Sequence, residues 1–390
     1  MSGWERGAVA IVGAADMADA SGELPVWGAP LLQHIAADAV DDAALAMSDV
    51  DGLAVAGGAM EGLRVAQELG LEPNWLESTH VGGSSFEVHV EHAAAAINAG
   101  LCETVLVVYA GTPRGDRRRW GIPRGSTDPY GIEYQEFEAP YGLRMPASAY
   151  ALAAQRHMAV YGTTAEQLAE IAVSSRVWAA HNPRARRQDP ITVDDVLGSP
   201  TICGPLHLHD CCLVTDGAAA VVITSAERAR ELRDDAAFVL GAASAQTHLL
   251  IHEMPDLTET PGARSGPLAF DRAEVRPDDV DVLQTYDSFT ITVLLALEDL
   301  GFAKKGEGGG YVTDIGLGPE APLPTNTSGG GLAYTHPGLF GLFLLVEATR
   351  QLRGESAGGI VPDVDVAVAH GVGGVLSATG TVVLGSEATR

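Results

Sequence analysis

The chain is built from two similar halves, and this duplication restricts its fold more than any other property of the sequence. Val9-Ala10-Ile11-Val12-Gly13-Ala14-Ala15 recurs as Ala237-Phe238-Val239-Leu240-Gly241-Ala242-Ala243, and Asp49-Val50-Asp51-Gly52-Leu53 recurs as Asp279-Val280-Asp281-Val282-Leu283. A third match pairs Gly82-Gly83-Ser84-Ser85 and the segment from Ala93 to Gly100 with Gly329-Gly330-Gly331 and the segment from Leu342 to Gly354. A fourth pairs Val221-Val222-Ile223-Thr224-Ser225 with Val382-Val383-Leu384-Gly385-Ser386, and these stand much closer together in sequence than the first two pairs. The first half must therefore carry an insertion before its last strand, near Gly111 to Cys203, in the position of a substrate lid. The expected limits are 1–111 and 206–228 for the N-terminal half, 112–205 for the insertion and 229–390 for the C-terminal half.

Within each half, short apolar runs alternate with helical periodicity. Leu24 to Met47 has apolar residues at helical spacing, and Leu101 to Tyr109 is a nearly continuous apolar run of the kind found in a strand buried on both faces. Such alternation predicts mostly parallel sheets covered by helices. Two sheets sharing the helices Ser84 to Ala99 and His336 to Leu352, both apolar on all sides, give an α/β fold with layers α/β/α/β/α. In the insertion, helices are expected from Ser148 to Tyr161 and from Thr164 to Ala180, the second opened by the capping box Thr164-Ala165-Glu166-Gln167.

Composition narrows the classes of function. The 390 residues are 46% apolar with 46 glycines, which suits a compact α/β protein with many tight turns. The start runs directly into a strand without a basic region and cleavable apolar stretch, so a soluble cytoplasmic protein is expected. A net charge of -27 argues against nucleic acid or an anionic membrane as partner. Arginines nevertheless gather in the insertion, among them Arg117, Arg118, Arg119 and Arg124, and such a cluster on an acidic body can hold a polyphosphate such as coenzyme A or serve as an ordinary solvated surface. Cys102, Cys203, Cys211 and Cys212 lack metal-type spacing and suit packing.

Chemistry is expected at the turns. Ser84-Ser85-Phe86-Glu87 opens a helix after two glycines, where free N–H groups and the positive dipole end suit an oxyanion. Ser84 is either a nucleophile or the cap of a Ser-x-x-Glu box, and no general base accompanies it. In the second copy, Gly331-Leu332-Ala333-Tyr334-Thr335-His336-Pro337-Gly338 sets Pro337 at the first helical position, with Tyr334 and His336 on the turn before it.

Two further turns, Gln284-Thr285-Tyr286-Asp287-Ser288-Phe289 and Ala369-His370-Gly371-Val372-Gly373-Gly374, complete a resemblance to the thiolase superfamily across almost the whole chain. Members of that family have a Gly-His-Pro turn, an Asn-Glu-Ala-Phe or His-Glu-Ala-Phe turn, a Cys-x-Gly-Gly-Gly turn and a nucleophilic Cys opening the N-terminal central helix. Here the nucleophile's position falls on Gly83 beside Ser84 and Ser85, His370 replaces the second Cys, Tyr286-Asp287 replaces Asn-Glu, and only His336-Pro337 is retained. A serine at a helix cap does not replace an activated sulfur.

Tyr-Asp-Ser-Phe, Gly-Gly-Leu-x-Tyr-x-His-Pro-Gly and the missing cysteine are similar to the lipid-transfer-protein subgroup that cleaves steroid side chains. That resemblance implies retro-aldol cleavage of a β-hydroxyacyl-CoA to a ketone and a shorter acyl-CoA, in a homodimer working with an OB-fold and zinc-ribbon partner. It also implies coenzyme A as part of the substrate, without a tightly bound cofactor or metal. Tyr334 is assigned as base and Tyr286 as acid, the reverse remaining open, with His336 and Asp287 beside them. Gly83, Ser84, Ser85, His370 and Gly373 are assigned to the oxyanion and substrate pocket, and Arg117, Arg118 and Arg119 to the coenzyme A phosphates. A phenol working as a base near neutrality must lose about 3 units from a pKa near 10, roughly 4 kcal/mol. The rivals are an acyltransferase using Ser84 or Ser85 and a non-catalytic acyl-CoA carrier.

Overall fold

A computed structural model describes residues 4–58, 60–120 and 131–390. Its strands are β1 (Val9–Met17), β2 (Gly52–Ala54), β3 (Trp75–Glu77), β4 (Thr104–Gly111), β5 (Thr201–Cys203), β6 (Leu206–His207), β7 (Gly217–Ser225), β8 (Ala237–Gln246), β9 (Val282–Thr285), β10 (Val366–Gly373) and β11 (Ala378–Gly385). Nine of them form one sheet in the order β3-β2-β4-β7-β1-β8-β11-β10-β9. The two half-sheets meet where β1 and β8 pair through Ala10 with Phe238 and Ile11 with Ala237.

The duplication is carried by backbone devices. In both halves the strand bulges one residue before a glycine: β1 shifts register between Ile11 and Gly13, and the β8/β11 ladder shifts between Val239 and Gly241. A Cβ on Gly13 would lie 2.0 Å from the Ala39 carbonyl oxygen, and one on Gly241 2.2 Å from that of Ala269. The outer helices Ala29–Asp42 and Gly262–Ala273 therefore lie directly against the strands only because these positions are glycine. Asp51 accepts from the amides of Glu103 and Thr104 at the start of β4, and Asp281 accepts from Asp365 and Val366 at the start of β10.

Helices Ser85–Asn98 and Gly341–Arg353, apolar and buried along much of their length, pack against strands of both halves and form the shared middle layer. The second begins at Gly341, later than the expected His336: a π-helical turn, Gly330–Tyr334, comes first, followed by an irregular turn through Pro337 and Gly338.

The sheet is mixed, not mostly parallel. β2 pairs in parallel with β3 and β4, and β9 with β10, whereas β7 runs antiparallel to both β4 and β1, and β11 antiparallel to β8 and β10. The reason is connectivity. A short turn joins β10 to β11, and the insertion leaves at Gly111 and returns at its paired neighbour Gly217, so it is one long loop between adjacent antiparallel strands. The segment between these two strands runs from 112 to 216. Helices Ala147–Tyr161 and Ala165–Ala179 form as the sequence predicts, and Thr164 and Gln167 close the capping box. Among the described residues no helix is long and apolar enough to cross a membrane.

Candidate active site

Where the two halves meet the insertion, the structure opens a cavity of about 570 Å³. The N-terminal half contributes His80, Val81, Gly82 and Gly83, the insertion and its return contribute Pro146, Tyr150 and Cys212, and the C-terminal half contributes Tyr286, Ser288, Phe289, His336 and the turn around Gly374.

At its floor, Tyr286 and His336 form a pair. Tyr286 follows β9, and its hydroxyl lies 3.0 Å from His336 Nε2. Burial pushes the phenol well above its usual pKa and lowers His336 to about 4, so both are neutral near pH 7. In the Nδ1–H tautomer of the imidazole the neutral phenol donates to Nε2. His336 is held from several sides: its amide donates to Thr215 Oγ1 at 2.8 Å, its carbonyl accepts from the Thr215 amide, and Tyr109 Oη donates to the Pro337 carbonyl at 2.7 Å.

The absence of a side chain at Gly83 is what admits Tyr286. A Cβ built on Gly83 would fall 2.2 Å from Tyr286 Cε2 and 2.6 Å from its hydroxyl oxygen. The phenol thus fills the space into which a side chain at this helix start would project. Close backbone approach completes the floor, since a Cβ on Gly82 would meet the Gly374 amide at 2.4 Å and one on Gly373 the Val81 carbonyl at 1.8 Å.

Several expected site residues stand elsewhere. Tyr334 does not line the cavity: its buried hydroxyl donates to Asp16 Oδ2, so the two tyrosines are not paired as acid and base. Asp287 is buried and accepts from the amides of Gly331 (2.7 Å) and Leu332 (3.1 Å), which makes it an anchor for the π-helical turn. Burial raises its carboxyl to about 7.

Ser84 and Glu87 do not form the expected capping box. Ser84 Oγ is within donating distance of the carbonyls of Val81 and Ala378, and both carboxyl oxygens of buried Glu87 lack partners among the described residues. Ser85 Oγ bonds the Val81 amide and the Gly82 carbonyl. Both hydroxyls are spent on backbone groups of the turn and of Ala378, and neither serine lines the cavity. His370 is turned away from the middle layer, toward helix Gly262–Ala273, with Nδ1 on Thr381 Oγ1. The neighbouring strand position, Gly371, is the one that faces inward, against Glu87.

Arg117, Arg118 and Arg119 lie on helix Pro113–Trp120 and do not line the cavity; Arg118 pairs with Glu23, and Arg119 pairs with Asp116 and lies over the Trp27 ring. Arg124 lies outside the described residues.

The sequence reading missed Tyr150 and Cys212. Tyr150 stacks on Phe289 at 4.4 Å and reaches the Gly374 carbonyl. Its signal was a lone aromatic in the alanine-rich start of helix Ala147–Tyr161. Cys212, taken as packing, lines the cavity, but burial and then Asp287 raise its thiol far above the usual range, so it is not a ready nucleophile.

Comparison with known proteins identifies the family. Residues 243–386 match the thiolase C-terminal domain-like family. The chain is 35% identical to a steroid side-chain-cleaving aldolase of Thermomonospora curvata, over 94% of this chain and 95% of that protein. It is 33% identical to the 17-hydroxy-3-oxo-4-pregnene-20-carboxyl-CoA lyase of Mycobacterium tuberculosis, over 94% and 97%. It is also 34% identical to an acetyl-CoA acetyltransferase of Methanothermobacter thermautotrophicus, over 86% and 88%. A solved structure, the Ltp2-ChsH2(DUF35) aldolase, superposes with a TM-score of 0.88 at 31% identity over 98% of each chain. The chain belongs to the thiolase superfamily, beside relatives named for acyl transfer and relatives named for carbon–carbon cleavage.

Proposed function

We propose that this protein is a carbon–carbon lyase that cleaves a β-hydroxyacyl-CoA, a steroid side-chain thioester, by retro-aldol reaction to a ketone and a shorter acyl-CoA. The observation that carries the reading is the phenol of Tyr286 occupying the side-chain space above Gly83 while bonded to His336. At that position the superfamily's acyl-transfer chemistry needs a sulfur nucleophile. The cavity's one described thiol, Cys212, is held protonated. Relatives named for cleavage and relatives named for transfer share similar fractions of their residues with this chain, so support for lysis comes from the site and from the solved aldolase that superposes with a TM-score of 0.88.

The neutral pair suits a proton relay. The Tyr286 oxygen takes the proton of the substrate's β-hydroxyl while its own proton passes to His336 Nε2. The freed O–H electrons form the ketone C=O, the Cα–Cβ bond breaks, and its electrons enter the thioester as an enolate. The enolate oxygen faces the turn Gly82–Ser84 at the start of helix Ser85–Asn98, where backbone amides and the helix dipole favour negative charge. Return of the proton through Tyr286 to Cα gives the shortened thioester and restores the pair. Because the proton moves only from oxygen to carbon, one carrier serves both steps, and a second tyrosine in the cavity is not required. No free phenolate forms, which the raised pKa of Tyr286 would oppose.

The proposal extends to assembly: a cytoplasmic homodimer with an OB-fold and zinc-ribbon partner. Support for a second protein component comes from the solved aldolase whose name includes DUF35; the other parts rest on the sequence resemblance. The test is incubation with a panel of β-hydroxyacyl-CoA thioesters, with and without such a partner, followed by mass analysis. Ketone and shortened thioester in equal amounts, lost in Tyr286→Phe, are expected. A stable acyl adduct on the protein, or transfer of acyl groups to free thiol without cleavage, would overturn the reading.

A further inference from the structure

The Tyr334 hydroxyl ends on a carboxylate that the duplication does not repeat: Asp16 follows Ala14-Ala15 in β1, and the matching place after Ala242-Ala243 is Ser244. Asp16 is almost fully buried, with Oδ1 receiving Arg184 Nη1 at 2.9 Å and also Arg350 Nη1. Burial opposes its charge, but the two guanidiniums and the Tyr334 hydroxyl prevail and hold the carboxyl well below the usual range. The cluster joins β1, the insertion and helix Gly341–Arg353 at one point.

Two physical links run from this point to the cavity. Along the backbone, Tyr334 ends the π-helical turn, and the extended Thr335 leads directly to His336. Through space, a row of rings connects them: Tyr334 to Phe343 at 6.5 Å, Phe343 stacked on Phe340 at 5.3 Å, and Phe340 against both His336 (6.1 Å) and Tyr286 (6.0 Å).

We infer that Asp16 is a positioning residue for the cleavage: by anchoring Tyr334 it fixes the turn and the row of rings that hold His336 Nε2 against the Tyr286 hydroxyl. Asp16 touches no substrate and acts through Tyr334. The kinetic part of this inference rests on the retro-aldol reading, and the structural part stands alone.

The experiment compares the full chain with Tyr334→Phe, Asp16→Asn and the double variant, reading kcat, KM, the pH profile and the His336 imidazole resonances by NMR. Each single variant lowers kcat by about 10- to 100-fold, the scale of a misplacement of about 1 Å, with KM nearly unchanged. The double variant is no slower than the worse single one, because both act on one link. The pH profile keeps its shape, and the His336 resonances move in every variant. Additive losses, an altered pH profile that marks Tyr334 as a reacting group, or unmoved His336 resonances would overturn the inference. If Asp16→Asn fails to fold, Tyr334→Phe, which leaves the carboxylate and both arginines in place, decides by itself. If the unaltered protein cleaves no thioester of the panel, the retro-aldol reading falls while the imidazole resonances still decide the positioning role.

Discussion

Replacing Gly83 by alanine tests the site most directly. The added Cβ would lie 2.2, 2.5 and 2.6 Å from Cε2, Cζ and the oxygen of Tyr286, where ordinary contact begins at 3.4 Å. The phenol must therefore retreat by roughly 1 Å, a displacement of the size that costs about 100-fold in rate when it separates reacting groups. The ring is boxed in by Phe340 and His336, so retreat breaks the 3.0 Å bond to Nε2. Overpacking of this kind also costs about 1–3 kcal/mol of stability. The assay is kcat on a cleaved thioester together with thermal unfolding of Gly83→Ala and of Gly83→Ala combined with Tyr286→Ala. The single variant should be slow and less stable than the unaltered protein. In the double variant, where the methyl no longer meets a ring, the substitution at Gly83 should cost little stability beyond that of Tyr286→Ala alone. Gly83→Cys should fare no better than alanine and should not gain acyl transfer. A Gly83→Ala protein with an unchanged rate and melting temperature would refute the claim that the phenol fills this space.

Other outcomes follow from buried groups. Glu87 is raised from 4.5 to about 8 by burial, so between those values the native state keeps a proton that the unfolded chain releases. Its contribution is complete below 4.5 and is lost as pH rises toward 8, by at most about 1.4 kcal/mol per pH unit. Denaturant titrations of Glu87→Gln should lack this part of the slope, and identical slopes would contradict a protonated Glu87. With His336 lowered to about 4, log kcat should stay level on the acid side until pH nears that value, and a break near 6.5 would show an ordinary, solvated imidazole. Ser84→Ala should still cleave substrate, with no acyl adduct in the intact mass of either the variant or the unaltered protein, at a stability cost of about 1 kcal/mol. Changing Arg117, Arg118 and Arg119 together to alanine should alter KM by no more than about twofold, since none of the three lines the cavity; a tenfold rise would restore them to the coenzyme A site.

The sequence alone determined that the chain is a duplicated α/β protein with a long loop in its first half and turns that carry the chemistry. It could do so because the residues that carry these devices recur in sequence: Gly13 with Gly241 and Asp51 with Asp281 make the same kinds of contact in each half. The want of a side chain at Gly83 was equally legible. Tertiary structure decided where each side chain points, since that depends on which distant element lies opposite. Tyr334 and His336 are two residues apart, yet one meets Asp16 from the first strand and the other meets Tyr286. Neighbours His370 and Gly371 face opposite sides of the sheet, as strand alternation requires, and only the assembled layers show which side carries the cavity. The empty space at Gly83 is a property of one residue; that a phenol arriving from the other half fills it is a property of the packed whole.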